Sequence, residues 1–194
     1  ILPMSLAGLA MKAMKPPLSH RAIEWTFVLH FLGMFLPGFV LPLLSKQGVN
    51  IFAISLGGVI LFVTGMVFGL LASPGKVGMW MASLFFVGAG WNFGFNTGTV
   101  YLSTAYDDRD HKSTVFQFQS YHDFICFMGA GVTSISFGFV YTAAGGNIEG
   151  WKFALYINCG FIGILCFVIM LAWRNNGLGN GSCVSAPQED GSKV

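Results

Sequence analysis

The chain has 194 residues, 54% hydrophobic and only 9% charged, with 26 glycines and 20 phenylalanines, and its mean hydropathy is +0.67. An ordinary soluble domain carries roughly 25% charged residues, so too little charge is present to cover a water-facing surface; the composition argues against a disordered chain, a nucleic-acid binder, a disulfide-rich secreted scaffold and most soluble enzymes. The net charge of +2 comes from basic residues scattered singly along the chain, which leaves no polybasic lipid anchor.

The apolar residues come in runs long enough to cross a bilayer, which predicts an all-α, multi-pass integral membrane protein with the lipid bilayer as its first partner. Residues 1–14 are apolar apart from Lys12, about half the length of a span; they read as the tail of a helix whose beginning is missing, with no feature of a signal peptide. A first full span is expected at 25–44, with His30 as its only ionisable side chain and Pro37 and Pro42 towards its end. Pro37 removes a backbone donor and is expected to kink that helix. A second span, 51–72, carries only Ser55 and Thr64 as polar side chains. The turn Ser73, Pro74, Gly75, Lys76 then leads into a third run, 77–106, longer than one bilayer thickness. The charged hexad 107–112 follows, Asp-Asp-Arg-Asp-His-Lys, which belongs in water or at the headgroups. Spans at 119–143 and 151–173 complete the set, the latter with a tryptophan at each end as in an aromatic belt. The polar residues 174–194 predict a disordered tail.

Restoring the first half-helix gives six spans. Alternate aqueous sides then collect Lys12, Lys15, Arg21, Lys76 and Lys152 against Lys46, Arg109, Lys112, Arg174 and Lys193, an even division that assigns no orientation. Cys126, Cys159 and Cys166 lie inside apolar runs, where packing is their expected role, and with Cys183 they show no metal-binding spacing; neither a metal nor another cofactor is expected.

The most informative stretch is 88–103. Asn92, Asn96, Thr99 and Ser103 recur at intervals of four, three and four and share one helix face. Gly90, Gly94 and Gly98 recur every four residues and sit about 160° away on the same helix. The glycine stripe fits close helix packing. The polar stripe has two readings, interhelical hydrogen bonds worth about 0.6 to 2 kcal/mol each, or the lining of a substrate pathway. His30 likewise is either a pathway residue able to carry a proton or a neutral ring bonded to a neighbouring helix. On the fourth span Gln119, His122, Asp123, Cys126, Ala130 and Thr133 fall on one polar or small face, with Asp123 and His122 as candidates for a gate or for coupling, or with Asp123 paired to Arg109 or Lys112 at the interface. Neither a Gly-x-Ser-x-Gly elbow, a His-Glu-x-x-His pair nor a phosphate-binding loop occurs, which argues against an enzyme.

These residues resemble the carboxy-terminal half of a major facilitator superfamily permease. His30 to Pro37, His-Phe-Leu-Gly-Met-Phe-Leu-Pro, are similar to the His-x-Leu-Gly-Met-Phe-x-Pro segment of the family's eighth helix. Residues 88–99, Gly-Ala-Gly-Trp-Asn-Phe-Gly-Phe-Asn-Thr-Gly-Thr, resemble the Gly-x-Gly-Trp-Asn-Phe-x-Phe-x-x-Gly-Thr of its tenth. Tyr106 resembles the tyrosine closing that helix, and Asp123-Phe124 the Asn-Asp-Phe opening the eleventh, although His122 stands where asparagine is usual. The resemblance covers about residues 1–173. It implies the end of helix seven through helix twelve, the tenth helix lining a central cavity beside the eighth and eleventh, and the ninth and twelfth facing lipid. It also implies alternating-access transport of a small organic molecule together with an amino-terminal six-helix half, a proton being a candidate coupling ion. The expected pathway residues are His30, Asn92, Asn96, Thr99 and Ser103. The alternative from the residues alone is a non-transporting assembly or scaffold subunit.

Overall fold

The computed structural model describes residues 2–105 and 112–175, and among them the structure is wholly helical. The helices are α1 (Leu2–Ala13), α2 (His20–Phe35), α3 (Pro37–Lys46), α4 (Ile51–Leu71), α5 (Val77–Ala105), α6 (Lys112–Ala143) and α7 (Ile148–Asn175). Four stretches are long and apolar enough to cross a membrane: His20–Leu44, Ile51–Leu71, Phe116–Ala143 and Ile148–Leu171, with hydropathies of 2.1, 2.4, 1.7 and 2.3. They make the chain compatible with a multi-pass membrane protein.

The 29-residue α5 covers the run read at 77–106 as one continuous helix, though it is not among those four. Its asparagines, glycines and hydroxyl residues dilute its hydropathy. It is also the helix most enclosed by others, packed along much of its length against α4 on one side and α2 on the other, so neighbouring helices rather than lipid cover most of it.

Helix ends follow local chemistry. The span expected at 25–44 begins earlier, at His20, because Ser19 caps α2 by accepting the Ala22 N–H at 3.3 Å. It is interrupted at Leu36, between α2 and α3, where Pro37 supplies no N–H. Asn50 caps α4 by accepting from the Phe52 N–H at 2.8 Å. Between α6 and α7 the Gly146 N–H bonds the Tyr141 carbonyl at 2.9 Å and the Gly145 N–H the Thr142 carbonyl at 3.1 Å. This is a Schellman closure that requires the left-handed φ of +99° at Gly145. Asn147 then accepts from the N–H groups of Glu149 and Gly150 at 2.9 and 3.3 Å, which starts α7 three residues before the expected Trp151. The helix runs on through Asn175, past the expected end at 173. The hexad residues 107–111, Tyr106 and the polar residues 176–194 with Cys183 lie outside the described residues, as do the side chains of Ser103, Lys112 and Trp173.

Trp151 is a core residue rather than a belt residue. It is fully buried, its ring centroid 5.0 Å from that of Trp80, and its Nε1–H donates to the Gly69 carbonyl at 3.0 Å. Around this pair, Leu6, Ala10 and Met11 of α1, Leu84 and Val87 of α5, and Leu155 of α7 form an apolar core. Cys159 is exposed, so the packing role expected for it does not hold; α7 turns that position outward.

Candidate functional site

The backbones of α2, α4 and α5 approach through glycine. A Cβ at Gly88 would stand 2.5 Å from the His30 carbonyl oxygen, and one at Gly33 would strike the Phe85 carbonyl. On the α4 side a Cβ at Gly65 would meet the Ser83 carbonyl oxygen at 2.8 Å, and one at Gly90 the Gly58 carbonyl oxygen at 2.8 Å. Such contacts fix the rotation of α5 and so decide which way its polar residues face.

His30 is buried at 2% exposure, and its Nδ1 lies 2.7 Å from the Leu84 carbonyl oxygen. A carbonyl only accepts, so this nitrogen carries the hydrogen and the ring ties α2 to α5. One turn further, the Asn92 amide donates to the Met34 carbonyl. Asn96 donates to both the carbonyl and the side-chain oxygen of Asn92, each at 2.9 Å. Asn92, Asn96 and Thr99 are all half-buried.

From Thr99 the polar contacts pass to α6. Gln119 Nε2 donates to Thr99 Oγ1 at 3.3 Å and to Asp123 Oδ1 at 2.9 Å, and His122 Nδ1 lies 3.1 Å from the same carboxylate oxygen. Asp123 is therefore held by neighbours on its own helix. It lies about three turns into α6, which begins at Lys112 and not at 119, so it is further from the helix end than the sequence suggested. Arg109 and the Lys112 side chain, its other expected partners, are outside the described residues.

A cleft of about 590 Å³ opens between α4, α5, α6 and α7. From α5 its wall takes Trp91, Gly94, Phe95, Gly98 and Tyr101, and from α6 it takes His122, Cys126, Ala130 and Thr133. His30, Asn92, Asn96 and Thr99 do not line it. The cleft thus lies on the glycine side of α5, away from the asparagines. The three stripe glycines differ in role: Gly90 is pressed against α4, Gly98 has room only as far as the His122 ring, 3.3 Å from an ideal Cβ, and Gly94 faces open space. His122 belongs to both features, with Nδ1 towards Asp123 and Nε2 3.7 Å from Cys126 Sγ in the cleft wall.

Asn158 of α7 also lines the cleft; it is buried at 7% exposure and donates to the Met66 sulfur at 3.2 Å. Sequence reasoning passed over it, although an isolated amide in an apolar run is a signal in itself. Among the described residues no group of three histidine, cysteine or acidic side chains could hold a metal ion. The arrangement offers neutral amides, hydroxyls and an imidazole beside one carboxylate, which suits hydrogen bonding to an uncharged or weakly charged solute. Compared with protein-family models, curated proteins and solved structures, the chain matches none.

Proposed function

We propose that the chain is one six-helix half of a secondary transporter, working by alternating access with a second half and carrying a small organic molecule past the polar face of α5. One observation carries this reading. Asn92, Asn96 and Thr99 are only partly buried in a chain with four other stretches apolar enough to cross a membrane, and polar groups left accessible at bilayer depth need water, a solute or another protein as partner. A track from Asn92 through Asn96, and from Thr99 through Gln119 to Asp123, supplies successive hydrogen-bonding positions along two helices, as a midplane solute site requires. The two helix motifs at 30–37 and 88–99, with their resemblance to major facilitator permeases, support the same reading. His30, bonded to a backbone carbonyl, serves in this scheme as the tie that orients α5.

The second reading, a non-transporting assembly subunit, draws on the interhelical bond from Asn92 to Met34, which is ordinary membrane-helix glue. Cysteine accessibility separates the two. In membranes holding the protein with its second half, a water-soluble methanethiosulfonate reagent reaches a cysteine introduced by Asn96→Cys if the face lines a pathway. Uptake by the same vesicles falls in Asn96→Leu at equal protein level. An unlabelled Asn96→Cys together with unchanged uptake in Asn96→Leu favours the assembly subunit.

A further inference from the structure

Among the described residues that line the cleft, none is acidic, lysine or arginine, and the polar side chains are spread along its length. Contacts between the helices give their order. Trp151 and Leu155 pack at Gly69, and Asn158 reaches Met66. Gly58 lies against Gly90 and Gly94, and Phe52 meets Tyr101. Asn158 therefore stands at the inner end of the cleft, next to the Trp80–Trp151 core. Ser55, Thr97 and His122 stand towards the outer end, about 16 Å away along α4.

These polar groups differ in what they have left to give. Thr97 donates its hydroxyl hydrogen to the Phe93 carbonyl at 2.7 Å, and Thr133 donates to the Gly129 carbonyl, so each offers the cleft lone pairs only. His122 turns Nδ1 to the Asp123 carboxylate, which leaves Nε2 of the neutral ring as an acceptor. The Ser55 hydroxyl is half-buried and enters no hydrogen bond among the described residues, so it can donate or accept.

Asn158 is the most enclosed of the set beside Thr97, at 7% exposure. Its amide nitrogen is spent on the sulfur of Met66, a residue that does not line the cleft. Its Oδ1 accepts no hydrogen bond among the described residues. Yet this oxygen is not sealed off, since the Trp80 nitrogen is the one side-chain polar atom there both buried and unbonded. Asn158 Oδ1 is thus an open acceptor in apolar surroundings, where a donor supplied by a ligand counts most.

We propose that the cleft binds a neutral aromatic alcohol or phenol, whose hydroxyl donates to Asn158 Oδ1 and whose rings extend past Trp91 to Gly94. Between those points the wall is Phe62, Trp91, Phe161 and Ile162, ring faces and aliphatic surface suited to a flat apolar body. At Gly94 nothing stands within 4 Å of an ideal Cβ, which leaves room for the far ring. The volume of about 590 Å³ is that of a small-molecule site. A charged ligand would lose its hydration and find no counter-ion on this wall. The site is separate from the asparagine face of α5 and stands whether or not that face is a transport pathway.

The test is calorimetric titration of the full chain in lipid nanodiscs with 4-phenylphenol, empty nanodiscs serving as the blank. Saturable binding is expected, roughly tenfold tighter than for 4-methoxybiphenyl, which keeps both rings and loses the donor. Biphenyl-4-carboxylate does not bind. Asn158→Leu lowers the affinity for the phenol to that for the ether, and Gly94→Leu, whose side chain enters the cleft, abolishes binding of both. Equal affinity for phenol and ether in the unaltered chain overturns the proposal, even if neither variant folds. So does tighter binding of the carboxylate, or phenol binding unchanged in Asn158→Leu or in Gly94→Leu. Absence of saturable binding in nanodiscs also overturns it, and if binding is then found in detergent the cleft is assigned to a lipid acyl chain.

Discussion

Trp80 and Trp151 meet in the core with ring centroids 5.0 Å apart and planes inclined at 40°, yet only Trp151 finds a hydrogen-bond acceptor, the Gly69 carbonyl. That carbonyl lies in the last turn of α4, where the helix itself provides no donor. The Trp80 Nε1–H is buried without a partner.

The two indoles therefore respond differently to removal of their N–H. Trp151→Phe loses a hydrogen bond and strands a buried carbonyl, a cost of about 1–3 kcal/mol. Trp80→Phe relieves an unsatisfied donor, which offsets part of the lost packing. Thermal unfolding in detergent should place Trp151→Phe clearly below Trp80→Phe; the reverse order would show that the hydrogen bond to Gly69 contributes nothing.

Gly33 and Gly94 form a second contrasting pair. Alanine at Gly33 brings its Cβ against the Phe85 carbonyl, backbone that no rotamer change can move, and overpacking of this kind costs about 1–3 kcal/mol. Alanine at Gly94 meets nothing within 4 Å and gains helix propensity of up to about 1 kcal/mol. A lower midpoint for Gly33→Ala and an equal or higher one for Gly94→Ala are expected.

Met66 and Asn158 are coupled. Met to Leu in a core usually costs less than about 1.5 kcal/mol, but Met66→Leu also deprives the buried Asn158 amide of its sulfur acceptor, adding about 1–3 kcal/mol. The double variant Met66→Leu with Asn158→Leu removes donor and acceptor together and should recover stability relative to Met66→Leu. A strictly additive double-mutant cycle would deny the bond any energetic role.

Gln119 joins α5 to α6 through Thr99 and steadies Asp123. Gln119→Leu removes both bonds, and Gln119→Glu adds a negative charge beside the carboxylate, so Glu should be the more damaging. Hydrogen exchange in α6 is the readout, with faster exchange around residues 116–126 in both variants and the greater increase in Gln119→Glu.

The helical class and the apolar spans were legible in the sequence because runs without charge have few other solutions in lipid. Hydropathy starts a helix too late wherever its first turn is polar. Lys112 and Ile148 begin helices that hydropathy alone starts at 119 and 151, since a polar first turn, capped by Asn147 in the case of α7, is helical without being apolar. The asparagine face of α5 follows from spacing, and so does the common face of His122, Cys126, Ala130 and Thr133. The separate roles of Gly90, Gly94 and Gly98 do not, because what a glycine faces depends on the neighbouring helix, and periodicity on one helix carries no information about its partners. The same holds for Trp151, whose position at the start of an apolar run reads as interfacial until α1 and Trp80 are seen to cover it.

The glycine contacts on both flanks of α5 bear on how the molecule can change shape. Backbones in contact at Gly33 and Gly88 on one side, and at Gly58, Gly65 and Gly90 on the other, leave no layer of side chains to shear. Helices α2, α4 and α5 consequently form a single stiff plate. Helix α6 meets that plate through the long side chains of Gln119 and His122, which can exchange rotamers while their backbones slide. Sliding between helices therefore meets least resistance at the α5–α6 seam, where the polar track and the cleft wall share His122, and any rearrangement there alters both at once.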